Sequence, residues 1–448
     1  MNEVTKCFVY NKRLRLKRMK LKRLQQRQQV QQQGWQEKIG QIEGKEYHHL
    51  DTFHCAINTC VCVYLFGLMP LRNTLQPNPN KVTFQIQSAA MLGTGLFLTF
   101  GNLKFLYVAK NLFESGLNVK NIVGLVYYTV TMTTFVIFLS LARCWPKILK
   151  FWTRVEMIFL LPPYEKPRWS LRLKLKIVCW CFCVVALVEH IMFYASGYYN
   201  YRMKILLCSS NHSKVNFRDY LIDQQFKNDF SVVPFNIFTS VGFLNTSFAY
   251  IWNYMDLFIM LVSVSLTTRF QQFSARLKKL EGLWVPDSVW HDVRRHHIEL
   301  CELVDFVDEY LSPIVLLAAL NNMYFTCNQL LNIFTKLRWP INYAYFWFSL
   351  IFLLSRTASA FLCASAVHDA SMEPLKVLHS VPGGHWTEEV SSTLFVSTNK
   401  SMCGSDRQTS LMNSLWFFSY FSTIATYELV LLQLDRNNLN KGLPNLCD

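Results

Sequence analysis

Charge is scarce in this chain. Asp, Glu, Lys and Arg make up 17% of its 448 residues, where a soluble domain carries about 25%. The shortage is local, because charges gather between apolar stretches, several longer than the roughly 20 residues that span a bilayer as a helix. A soluble enzyme is excluded, and an all-α integral membrane protein is predicted. Catalytic motifs are missing as well. There is no GxSxG, no Walker A sequence and no GxGxxG. His296-His297 lacks an HExxH frame, and Gly93–Gly95 lies inside an apolar stretch. No catalytic residue is assigned. No CxxC pairs with another at zinc spacing among the 14 cysteines. Cys60–Cys62 and Cys181–Cys183 sit in apolar runs, where cysteine is a small hydrophobe. No metal and no cofactor is expected. The first 50 residues are too polar for a secretory signal, which leaves the first span to direct insertion.

What is abundant is apolar residues (51%), aromatic residues (15%) and an excess of positive charge, net +16. The excess flanks the apolar stretches, as anionic lipid and membrane topology require, so the predicted partner is lipid and not nucleic acid. Residues 1–50 form a basic, glutamine-rich tail. Its stretch Asn11–Gln28 holds nine Lys or Arg and reads as a partly helical cytoplasmic segment. Eight apolar segments follow, near 53–70, 84–108, 120–142, 174–198, 244–268, 312–335, 342–366 and 410–433. Loops 143–173 and 269–300 are basic, and both are expected on the cytoplasmic side with the tail. An even number of spans must separate them. The segment 53–70 is short, stops at Pro70 and carries His54, Asn58 and Thr59, so it is expected as an interfacial or re-entrant helix. Seven spans remain, with the N-terminus cytoplasmic and the C-terminus extracellular. This divides the chain into a tail (1–50), a helical bundle with cytoplasmic extensions (51–409) and a seventh helix with a short extracellular tail (410–448). The same topology expects a glycan on Asn211, in an external loop, and none on Asn399.

The ionisable residues singled out within predicted spans are Glu189, His190, Asp256, Arg356 and Glu428. At bilayer depth each needs a partner, water or a function. Glu189 and His190 fall in the outer half of the third span, and Trp252, Asn253 and Asp256 in the outer half of the fourth. The fifth carries Asn321, Asn322, Tyr324, Asn328 and Gln329. The sixth begins with Tyr343, Tyr345 and Trp347. Amides, carboxylates and rings therefore gather at one depth. That combination suits a polyhydroxylated ligand: polar groups bond the hydroxyls, and flat rings cover the C–H face of a sugar. The candidate ligand-binding set is Glu189, His190, Trp252, Asn253, Asp256, Asn321, Asn322, Tyr324, Tyr345 and Trp347.

Near the C-terminus, Thr426, Val430 and Gln433 share one helical stripe. A single Gln at the outer end of an apolar stripe suits a constriction in a pore built from several copies of one helix. The segment TYELVLLQ (426–433) resembles the TY-(five apolar)-Q signature of insect gustatory receptors. FGLMP (66–70), WNYMDLFIM (252–260), NNMYF (321–325), QLLN (329–332) and KLRWPINYAYFWFSL (336–350) resemble the sugar-sensing branch of that family. The resemblance covers most of 50–448 and none of the first 50 residues. It implies seven helices with the N-terminus inside, a helix at the membrane before the first span, and assembly as a tetrameric, ligand-gated, non-selective cation channel. It places Gln433 at the gate and a sugar in the outer half of each bundle. Leu434 departs from the Phe that usually follows that Gln; it is still an apolar plug, but a smaller one. The expected partners are a mono- or disaccharide, permeating cations and like or related subunits in a homo- or hetero-tetramer, in the plasma membrane of gustatory neurons. A metabotropic receptor would need the opposite orientation. A sugar transporter would need repeats and broken helices, which are not seen.

Overall fold

A computed structural model describes residues 51–58, 68–115, 119–208, 216–221, 237–281, 286–334 and 336–379, with single positions at 283, 391, 423 and 426. The basic tail, Asn211, Asn399, Glu428, Val430, Gln433 and Leu434 lie outside the described residues. Thr426 alone of the predicted pore stripe is described, as helical and exposed.

The described chain is helical. α1 is Phe53–Ile57, α2 Ala89–Ser115, α3 Val119–Leu160, α4 Leu171–Cys208, α5 Phe217–Tyr220, α6 Ile237–Leu280, α7 Asp287–Leu331 and α8 Pro340–His379. β1 (Leu71–Arg72) and β2 (Thr83–Phe84) form a small antiparallel pair, with Leu71 opposite Phe84. Five described helices are long and apolar enough to cross a membrane: Met91–Glu114, Ile122–Leu160, Leu171–Cys208, Thr246–Leu280 and Pro340–His379. They match five of the seven predicted spans. The predicted span 312–335 is the end of α7. It is not among those five, and it carries Asn321, Asn322, Asn328 and Gln329 among its apolar residues.

The helices outlast the bilayer. α3, α6 and α7 have 42, 44 and 45 residues, or about 63–68 Å at 1.5 Å per residue, against a hydrocarbon core of about 30 Å. The basic stretches 143–173 and 269–300, expected as loops, are therefore largely helix. The apolar face continues past the span: Trp145, Ile148, Leu149 and Trp152 are buried on α3, and Phe270, Phe273 and Leu277 on α6. Charge on the other face does not end a helix that keeps a 3.6-residue apolar stripe. α6 is the central helix, packed against α3, α4, α7 and α8. α4 is peripheral and presents Trp180, Val184, Leu187, Val188 and Ile191 outward, as a helix facing lipid does.

α1 belongs to the protein interior. All five of its residues are buried, and Phe53 stacks on Trp152 at 4.1 Å. Within its described part, the segment 53–70 is packed inside protein instead of lying on lipid. A buried ionic network holds it. Arg269 Nε meets Glu156 Oε1 at 2.9 Å, Glu156 Oε2 accepts from the Phe53 amide at 2.7 Å, and Arg269 Nη1 donates to Gln272 Oε1 at 2.7 Å. Asp51 accepts from the Leu171 and Arg172 amides at the first turn of α4, where a carboxylate satisfies orphan donors and the helix dipole. Nearby, the Tyr164 hydroxyl lies 3.0 Å from His296 Nδ1, with the Arg276 guanidinium over the Tyr164 ring. Burial, with Arg295 and Arg276 alongside, pushes the His296 pKa down to about 3, and burial pushes the Tyr164 phenol up to about 12.

Candidate functional site

The half of the bundle away from the basic stretches holds a polar knot where α6, α7 and α8 meet. Trp252 and Asn253 stand one turn before Asp256 on α6, at spacings of four and three. α7 presents Asn321 and Asn322, both buried. α8 presents Arg356, which contacts all three of Asn253, Asp256 and Asn322. Arg356 Nη1 donates to Asn253 Oδ1, and Nη2 donates to Asn322 Oδ1 at 3.2 Å. Arg356 Nε faces Asp256 Oδ2 at 3.4 Å, a charge contact and not a hydrogen bond. Asn322 Nδ2 donates to Asp256 Oδ1 at 2.9 Å, and Asn321 Nδ2 to Asn322 Oδ1 at 3.3 Å. Asn253 Nδ2 is turned back onto the Ala249 carbonyl at 3.1 Å. Both charged side chains are nearly excluded from solvent, at 2% and 3% exposure. A buried charge survives only when paired in this way.

Aromatic rings wall the knot. The Arg356 guanidinium lies 4.4 Å from the centre of the Trp252 ring, within cation–π range. Phe325 packs on Trp252 at 4.7 Å, Tyr324 meets Phe325 edge-on, and Tyr127 meets Trp252 edge-on. Ala318, Ala319, Ala360 and Ala364 let the three helices close up beside Asp256 and Asn322. The space beside them, about 20 Å³, holds one water and not a sugar ring.

A second polar chain links α4, α7 and α8. Ser349 Oγ donates to Glu189 Oε1 at 3.0 Å, Tyr345 Oη reaches the same oxygen at 3.4 Å, and Gln329 Nε2 donates to Ser349 Oγ at 3.1 Å. Farther out, Ser196 and Asn200 bond Asn342 across α4 and α8. Three buried polar atoms on this side, Asn321 Oδ1, Gln329 Oε1 and Trp252 Nε1, find no hydrogen-bond partner among the described residues.

The structure thus brings Trp252, Asn253, Asp256, Asn321 and Asn322 together, joins Glu189 to Tyr345, and seats Tyr324 behind Phe325. His190 is set apart, bonded to Thr246 at 3.0 Å. Trp347 joins neither group: it is 47% exposed and contacts Phe346. Two helix positions from Tyr345 turn it about 200° away, a placement that fits an outward-facing ring. The sequence reading names Arg356 as an ionisable residue at bilayer depth without placing it in the candidate set, and it leaves out Ser349. The signal was present, because Tyr345, Ser349, Phe352 and Arg356 follow at spacings of four, three and four on one face of α8.

A family model described as trehalose receptor matches residues 18–447. The match begins inside the basic tail, earlier than the boundary at residue 50 that the sequence resemblance suggested. Among curated proteins, a Drosophila melanogaster gustatory receptor for sugar taste, 61a, is 45% identical over 89% of this chain and 92% of its own length. The sugar-taste receptor 64a of the same fly is 37% identical over 90% and 88%. Gustatory receptor 5a for trehalose is 29% identical over 89% of each chain. Among solved structures, the olfactory receptor OR5 of Machilis hrabei with eugenol superposes with a TM-score of 0.57 at 13% identity, over 87% of this chain and 100% of that one. That likeness concerns the fold: a bundle of long, multi-pass membrane helices. With a family model spanning nearly its whole length and close relatives that agree with it, the chain belongs to the trehalose receptor family of insect gustatory receptors.

Proposed function

We propose that the chain is a sugar-sensing subunit of a ligand-gated, non-selective cation channel. The observation that carries this reading is 45% identity to a sugar-taste receptor across nearly the whole of both chains. The buried amides, carboxylate and rings of α6, α7 and α8 support a ligand rich in hydroxyls and without charge. In this reading seven helices cross the plasma membrane of gustatory neurons, with the N-terminus cytoplasmic and the C-terminus outside. Four subunits, identical or related, surround a pore lined by the helix near 410–433, with Gln433 and Leu434 at its gate. The ligand is a mono- or disaccharide, and the chain is not an enzyme. Sugar favours the open state through contacts that differ between the two states.

Recording from cells that express this chain alone, with G-protein signalling blocked, tests the reading. Sugar-evoked currents that reverse near zero with sodium and potassium exchanged are expected. Uptake of labelled sugar without current, or a current abolished by the block, would overturn it.

A further inference from the structure

Arg356 stands where three helices meet. From α8 it reaches Asn253 and Asp256 on α6 and Asn322 on α7, and its guanidinium covers Trp252. Asn322 closes the circuit by donating to Asp256. These oxygens and this ring are the groups that a polyhydroxylated ligand would use. Here they are engaged with Arg356, and the adjoining space admits one water. A ligand can occupy the knot only if α8 separates from α6 and α7, and that separation breaks the Arg356 contacts.

We propose that Arg356 is the positioning residue of the sugar site, and that sugar hydroxyls take over the Asn253, Asp256 and Asn322 contacts it makes in the closed knot. This rests on the sugar-sensing reading above. The unpartnered atoms at the edge of the knot provide the first footing. Asn321 Oδ1 and Gln329 Oε1 accept from hydroxyls, and Trp252 Nε1 donates to one. The ligand's remaining hydroxyls then donate to the oxygens that Arg356 gives up. Bonds lost between helices are replaced by bonds to the ligand. The released guanidinium has a second carboxylate within electrostatic reach at Glu189. A ligand shifts a two-state equilibrium only through contacts that differ between the states, and this exchange provides such a difference.

Arg356→Lys tests the proposal. Lys keeps a positive charge beside Asp256 but offers a point donor in place of a planar fork, so Asn253 and Asn322 lose their bonds. In the purified full chain without sugar, hydrogen exchange over residues 345–357 rises. In recordings the sugar-free current, relative to the saturating current, rises about tenfold. Asn322→Ala removes one Arg356 acceptor without adding or removing a charge, and it moves both readouts the same way. It decides the matter if Arg356→Lys fails to reach the surface. A variant that reaches the surface with wild-type exchange and wild-type sugar-free current overturns the proposal. Exchange is read without sugar, so a wild-type chain that answers no sugar overturns the sugar reading, whereas unchanged exchange in the variants overturns the role of Arg356.

Discussion

A carboxylate at bilayer depth needs a cation before it needs a ligand. Asp256 has one in Arg356, and each is buried. Removing one partner strands the other. Asp256→Ala is expected to cost about 3–5 kcal/mol, seen as a lower thermal midpoint in the purified chain and reduced delivery to the surface. Asp256→Asn combined with Arg356→Gln removes both charges, keeps the shape at 256 and shortens the side chain at 356. That pair regains most of the midpoint while the sugar response stays lost. A wild-type midpoint in Asp256→Ala alone would contradict the pairing. At the basic end, His296 carries a pH prediction. Its folded pKa is near 3 against an ordinary 6.5, so the fold prefers the neutral ring. The stability this contributes is complete above pH 6.5. It is lost as pH falls from 6.5 toward 3, at about 1.4 kcal/mol per unit. His296→Gln should flatten the fall of the thermal midpoint over that range. An unchanged profile in the variant would remove His296 as its source.

At the scale of elements, α5 depends on a glycine. Phe217 and Tyr220 pack their rings on Tyr194, Tyr198 and Tyr201 of α4. The Tyr220 hydroxyl occupies the place where a Cβ at Gly197 would stand. Gly197→Ala should push Tyr220 off α4 and raise hydrogen exchange at 217–220, and adding Tyr220→Phe should reverse part of the change. Equal exchange in Gly197→Ala and wild type would show that α5 docks without this contact. Five of the long helices were legible in the sequence because a run of apolar residues near 20 leaves little else to be. Their ends were not legible. Arg143, Lys147 and Lys150 look like the end of a span, yet Trp145, Leu149 and Trp152 keep one face of α3 apolar beyond them. The knot was legible in part. Asn253, Asp256, Asn321 and Asn322 stand out as polar residues at one depth. What spacing within one helix cannot give is the partner on another, and so Arg356 entered the site only through the packing of α8 on α6 and α7.

At the scale of the molecule, the proposed orientation makes one direct prediction. It puts Asn211 outside and Asn399 inside, so peptide mapping of protein from insect cells should find a glycan on Asn211 and none on Asn399. A glycan on Asn399 would invert the bundle. The length of α3, α6 and α7 has another consequence. Between helices in lipid the hydrophobic effect contributes nothing, because the tails are as apolar as the side chains. The stretches that outrun the bilayer bury Trp152, Phe159, Phe270, Phe273 and Leu300 in water, where that effect is at full strength. One continuous set of helices is therefore held by two different forces. Urea, acting from the aqueous side, should melt the basic end while the same helices stay paired within the membrane.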